Sequence, residues 1–77
     1  MNITIYTKSN CPNCVSAKQL LKSKGLEYEE MDTDYTPIRS ELFEQYPDVK
    51  QMPFILINDQ RVGGLAGLQA ALKQVDL

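Results

Sequence analysis

Cys11-Pro12-Asn13-Cys14 constrains this chain more than any other stretch, because it lies between a short apolar run, Ile3-Thr4-Ile5-Tyr6, and a helical pattern that begins directly behind it. A polar loop, Thr7-Lys8-Ser9-Asn10, joins the two. The chain's two cysteines both fall here, and a spacing of three brings both sulfurs to one end of one helix. A thiol at a helix N-terminus faces unpaired backbone N–H groups and the positive end of the macrodipole, and both favour the thiolate. Thiolate is the nucleophile in disulfide exchange, so strand, loop, paired thiols and helix in this order point to redox chemistry.

Behind the cysteines, Val15, Ala17, Leu20 and Leu21 recur at helical spacing, with Lys18, Lys22 and Lys24 on the outer side. Pro12 suits the first helical turn, which makes Cys11 the cap, and Gly25 suits the stop. Leu26, Tyr28 and Met31 then mark a weaker strand whose other face carries acids, read as a solvated face rather than a metal site. Thr36-Pro37 reads as an N-cap and first helical residue, followed by Ile38, Leu42 and Tyr46 with Phe43 beside them, until Pro47 ends the run. Phe54-Ile55-Leu56-Ile57 has the continuous apolar character of a strand buried on both faces. Asn58-Asp59 is a turn signal that returns Gln60-Arg61-Val62 antiparallel. After Gly63-Gly64, Leu65, Leu68, Ala71, Leu72 and Val75 form the inner stripe of a last helix.

The resulting order, β-α-β-α-β-β-α, is an α/β fold with one mixed four-stranded sheet flanked by three helices. The opening βαβ unit needs a right-handed crossover, and in such a sheet functional groups gather beyond the carboxyl ends of the parallel strands, where Lys8 to Cys14 fall. Residues 1–77 read as a single domain, since 77 residues leave no room for a second core.

Cys11, at the cap, is the candidate nucleophile, and such placement lowers a thiol pKa below its ordinary value of about 8.5. It would attack a disulfide sulfur, and Cys14 would then close the Cys11–Cys14 bond and release the product. Lys8 adds positive charge nearby. Met52-Pro53 opens a buried strand, a position that proline tolerates, and the rarity of cis X–Pro bonds favours trans there. Gly63-Gly64 is either a tight strand-to-helix turn or a place where bare backbone and a helix N-terminus approach a ligand carboxylate.

The chain has no histidine, so its two cysteines need carboxylates or a second chain to complete a four-ligand zinc site. A net charge of −2 with scattered lysines offers no basic field for nucleic acid. No signal peptide is read, and no apolar run approaches the roughly 18 residues of a membrane span. The expectation is a cytoplasmic monomer without nucleic-acid or membrane partners, and in a reducing cytosol two close cysteines are catalytic or metal-binding more often than a permanent staple.

Cys11-Pro12-Asn13-Cys14, Gln51-Met52-Pro53 before a strand and Gly63-Gly64 before the last helix together resemble the glutaredoxin family, in order and spacing over nearly the whole chain. Compact glutaredoxins of bacteria and phages are the nearest likeness. The resemblance implies a thioredoxin-like fold, a cis Met52–Pro53 bond packed against the cysteines, and reduction of protein or glutathione mixed disulfides in the service of electron transport and cell redox homeostasis. It implies no tightly bound cofactor, with glutathione as co-substrate. Met52 backbone would pair with a bound cysteinyl peptide, Lys8 and the Gly64-Leu65-Ala66 turn would meet the carboxylate ends of glutathione, and Asn13 and Pro53 would line the same site. Where glutaredoxins usually carry an aromatic residue between the cysteines this chain has Asn13, and where they usually carry Asp after the paired glycines it has Ala66, which removes a partner for the glutathione amino group. Related redoxins that reduce ribonucleotide reductase share the size and Cys-x-x-Cys, and some draw electrons from thioredoxin reductase, but their Trp-Ser-Gly-Phe stretch is absent here. Some glutaredoxins instead share an iron–sulfur cluster between two chains, and Pro12 resembles the variants that do so poorly.

Overall fold

The computed structural model describes residues 2–74, so Val75 lies outside the described residues. The elements are β1 (Ile3–Thr7), α1 (Pro12–Ser23), β2 (Glu29–Asp32), α2 (Thr36–Gln45), β3 (Phe54–Ile57), β4 (Gln60–Gly63) and α3 (Leu65–Gln74), in the expected order. They build one four-stranded sheet, β2-β1-β3-β4, in which β1 and β2 run parallel and the other two pairs antiparallel.

The period-2 geometry of the central strands divides the core between the two faces of the sheet. Ile3 and Ile5 of β1 and Ile55 of β3 pack with Ala17 and Leu21 of α1 and Leu68 and Leu72 of α3. Phe54 and Leu56 turn the other way, against Leu42 of α2, Val49, Tyr6 and Tyr46. The four apolar residues of β3 thus serve two cores at once, which is why that run lacks alternation. Burying a residue such as Leu21 or Leu68 completely stabilises the fold by about 1.5–3 kcal/mol each.

Local chemistry sets the boundaries. Gly25, at φ +67°, ends α1 in a Schellman turn, its N–H donating to the Lys22 carbonyl while the Leu26 N–H donates to the Leu21 carbonyl. Asn58 and Asp59 both take positive φ, 52° and 66°, the geometry of a two-residue type I′ hairpin. β4 carries one extra residue, Val62, where its pairing jumps from Arg61↔Leu56 to Gly63↔Ile55.

Four local expectations are corrected. Thr36 lies inside α2, because the Tyr35 carbonyl already accepts from the Ile38 and Arg39 N–H groups, so Tyr35 is the cap and no side chain bonds there. β2 is only four residues long, and Leu26 and Tyr28 reach the core from the preceding loop instead. Val15 is 50% exposed rather than inward. The buried stripe of α1 runs Cys14, Ala17, Leu21, and a residue one position past Cys14 is turned about 100° away from it. Phe43 likewise stays largely outside the core.

Candidate active site

β1 ends in the buried Thr7, whose carbonyl accepts both the backbone N–H (2.8 Å) and the hydroxyl (2.7 Å) of Thr33. This double bond between the ends of the two parallel strands fixes the platform from which the Lys8–Asn10 loop departs. The Ser9 N–H donates to Asp34 Oδ2 at 3.2 Å, and Asn10 turns the chain with φ +56°, a conformation asparagine tolerates better than most residues. Cys11 follows as the N-cap of α1, as expected.

The cap is made by sulfur. The Cys14 N–H donates to Cys11 Sγ at 3.2 Å, occupying the place that a serine or aspartate oxygen takes in most helices. A thiolate accepts that bond better than a neutral sulfur does, and the helix N-terminus adds its positive potential, so the geometry favours Cys11 as the anion when the pair is reduced. Cys11 and Cys14 are joined as a disulfide, with Cα atoms 5.2 Å apart. Cys11 keeps 8% of its surface exposed against 2% for Cys14, which ranks Cys11 as the sulfur that a large substrate meets first.

The Met52–Pro53 bond is cis, against the trans expectation drawn from base rates and in line with the family resemblance. The Met52 carbonyl oxygen lies 3.5 Å from Cys11 Sγ, so the backbone before β3 is brought directly to the reactive sulfur. A small cleft beside it, about 370 Å³, is lined by Lys8, Asn10, Cys11, Pro12, Asn13, Gln51 and Met52. It shares Asn13, Gln51 and Met52 with a larger groove of about 630 Å³ that also contains Pro53, Gly64, Leu65 and Ala66. Every candidate binding residue from the sequence therefore lines one or both of two adjoining spaces, with Lys8 on the Cys11 side and the Gly64–Ala66 turn on the other.

Gly64 closes the far wall. A Cβ there would sit 3.5 Å from the Pro53 carbonyl oxygen, so the turn between β4 and α3 lies close against the cis-proline segment. Gly63 takes φ +88°, and Gly67 brings the first turn of α3 so near β4 that a methyl group would overlap the Val62 carbonyl.

Two charged features escaped the sequence reading. Glu30, taken there as part of a solvated face, accepts from Thr7 Oγ1 (2.9 Å) and pairs with Lys18 Nζ (3.0 Å), linking β1, β2 and α1. The Lys18 ammonium, and after it the Thr7 hydroxyl, hold the Glu30 carboxyl below its ordinary range against the opposing effect of burial. Arg61 makes a two-point pair with Asp48, at 3.2 and 2.8 Å, and its guanidinium lies 5.5 Å from the Tyr46 ring centre and 5.3 Å from that of Phe54. Burial, first, and the negative charges of Glu41 and Glu29 push the Tyr6 hydroxyl above its ordinary pKa. Both ion pairs join residues at least a dozen positions apart, so no local pattern signals them.

Among the described residues no cluster of three or more His, Cys, Asp or Glu is placed to hold a metal ion, and no helix is long and apolar enough to cross a membrane.

Comparison with known proteins gives a consistent outcome. The glutaredoxin family model matches residues 3–62. Glutaredoxin 3 of Escherichia coli strain K12 is 38% identical over 69 residues, 90% of this chain and 83% of that protein. The crystal structure of glutaredoxin 1 from Francisella tularensis, complexed with cacodylate, matches with a TM-score of 0.82 at 27% identity, covering 96% of this chain and 94% of that one. The glutaredoxin-like protein NrdH-redoxin from Escherichia coli, described as having a thioredoxin-like activity profile, matches with a TM-score of 0.74 at 25% identity, over 91% of this chain and 93% of that one.

Proposed function

The chain belongs to the glutaredoxin family and is a thiol-disulfide oxidoreductase built on Cys11 and Cys14, and from that premise we propose that it reduces protein and glutathione mixed disulfides with glutathione as its electron source. The observation that carries the reading is the groove of about 630 Å³ that shares Asn13, Gln51 and Met52 with the cleft holding Cys11. Its volume is that of a small-ligand site, suited to a tripeptide, and the Met52 backbone at its head stands where an extended cysteinyl peptide can add as a strand.

In the forward reaction the Cys11 thiolate attacks one sulfur of the substrate disulfide, and the expelled thiolate takes a proton from water. Cys14, once deprotonated, attacks Cys11 Sγ, breaks the mixed disulfide and releases the second substrate thiol. The product is the bonded Cys11–Cys14 pair. Two glutathione molecules then reverse the sequence: the first forms a mixed disulfide on Cys11 and frees the Cys14 thiol, and the second attacks the glutathione sulfur of that bond, freeing the Cys11 thiolate as the two leave together as oxidised glutathione. Lys8 and the Gly64–Ala66 turn serve this cycle by holding the carboxylates of the bound peptide. Ribonucleotide reductase is the protein acceptor suggested by the resemblance to the small redoxins that share this size and Cys-x-x-Cys.

The test reduces the oxidised protein either with glutathione, glutathione reductase and NADPH or with thioredoxin reductase and NADPH. Turnover with glutathione supports the proposal, while turnover with thioredoxin reductase alone overturns the electron source and keeps the dithiol chemistry. Cys11→Ser is expected to abolish disulfide reduction, and Cys14→Ser to trap a mixed disulfide, seen by mass spectrometry, or to keep only monothiol activity when glutathione is present. Full activity in the Cys11 variant would remove the dithiol mechanism itself.

A further inference from the structure

Building on the dithiol reading, we propose that Arg61 is a specificity-determining residue that reads a carboxylate on the substrate close to its half-cystine. The groove that adjoins the Cys11 cleft through Asn13, Gln51 and Met52 contains three charged side chains, Asp48, Lys50 and Arg61, and so carries one net positive charge. Its other polar walls, Asn13, Gln51 and Gln69, are neutral. A substrate ammonium entering here meets a single carboxylate, that of Asp48, and Arg61 already engages it through two hydrogen bonds. A substrate carboxylate meets a guanidinium with three further N–H donors.

What separates Arg61 from an ordinary surface arginine is its support. Its guanidinium carbon lies over both Tyr46 and Phe54, at 5.5 and 5.3 Å from the ring centres, and Phe54 is itself fixed in the core under α2. A planar fork held in this way has little freedom left to lose when it takes a carboxylate in two-point fashion. Asp48 holds the fork in register while the groove is empty, and Arg61 in turn keeps the Asp48 carboxyl below its ordinary pKa range. Both partners are substantially exposed, so a second carboxylate can share the guanidinium or displace Asp48 at small cost. Asp48 thus acts as a resident stand-in for the substrate's acid.

The source of that acid is either an Asp or Glu side chain beside the half-cystine or the glycyl carboxylate of a glutathionyl group. The experiment measures kcat/KM of the reduced full-length protein on two pairs of substrates. The first pair comprises acetylated, amidated peptide disulfides with Glu or Gln next to the half-cystine. The second comprises the glutathione mixed disulfide of the Gln peptide with its glycyl carboxylate free or esterified. The wild type is expected to favour the acid by about fivefold in at least one pair, carried by KM, which identifies the source. In Arg61→Gln that ratio falls to about one, in Arg61→Glu it inverts, and in Asp48→Asn, freed of its internal competitor, it rises. Each ratio is internal to one variant and does not depend on how much of that variant is folded. A ratio kept in Arg61→Gln but lost in Lys50→Gln, or no preference by the wild type in either pair, overturns the assignment of Arg61. If the wild type reduces none of the four substrates, the dithiol reading itself fails.

Discussion

Replacing Gly67 by alanine tests whether the groove wall depends on the close approach of α3 to β4. A Cβ at Gly67 would overlap the Val62 carbonyl oxygen and come within 2.8 Å of its carbon, and the obstacle is backbone rather than the end of a flexible side chain. Alanine is the better helix former by about 1 kcal/mol, so propensity alone forecasts a more stable protein. Overpacking opposes it by about 1–3 kcal/mol, and with no side chain free to move the upper end applies, for a net loss near 2 kcal/mol. In a domain of this size each kcal/mol moves Tm by about 4–8 °C, which places the expected drop at about 8–16 °C. Relief of the clash requires α3 to slide away from β4, taking Gly64 from its position against Pro53, so KM for a disulfide peptide is expected to rise as well. Gly25→Ala is the control: its added methyl meets open space at φ +67°, and the change should cost about 1–2 kcal/mol of left-handed strain while leaving KM alone. Urea unfolding and a coupled disulfide-reduction assay measure both quantities. A Gly67→Ala protein as stable as the parent would refute the packing argument outright.

Further expectations follow from particular contacts. Because Lys18 lowers the pKa of Glu30, the pair contributes its stability above the ordinary carboxylate range and loses it as pH falls through the lowered value. Lys18→Met should therefore cost about 0.2–1 kcal/mol at neutral pH, a surface-pair magnitude because Glu30 is 39% exposed, and the difference in urea midpoint from the parent should fade as the pH falls below the ordinary carboxylate range. Thr33→Val removes the buried 2.7 Å hydroxyl bond to Thr7 and should cost about 1 kcal/mol in the same assay. Asp59→Gly, at φ +66° in a type I′ turn, should raise stability by about 0.5 kcal/mol, since Asn-Gly is the preferred pair there. A fall in Tm for this variant would count against the turn assignment.

Much of the fold was open to reading because its elements are locally coded. The apolar run of β1, the proline after a cap, the glycine after α1 and the Asn-Asp turn each act over four or five residues, the range over which backbone preference and side-chain period operate. The paired thiols belong to the same class, since strand, cap and helix that position them are contiguous, and Cys11 became the cap that its place in the chain implied. Where local cues compete, the reading slipped by a residue, as at Thr36, or by a face, as at Val15, whose turn of helix is oriented by Cys14 acting as a core residue.

The amino-acid order by itself determined that two thiols three apart would cap a helix behind a strand, because that needs only neighbours in the chain. Tertiary structure decided what those sulfurs face. The approach of the Met52 carbonyl to Cys11, the closing of Gly64 on Pro53, and the pairs Glu30–Lys18 and Arg61–Asp48 each join segments brought together by the sheet. Such contacts depend on strand order and helix packing across the whole domain, and no short stretch of sequence carries that information.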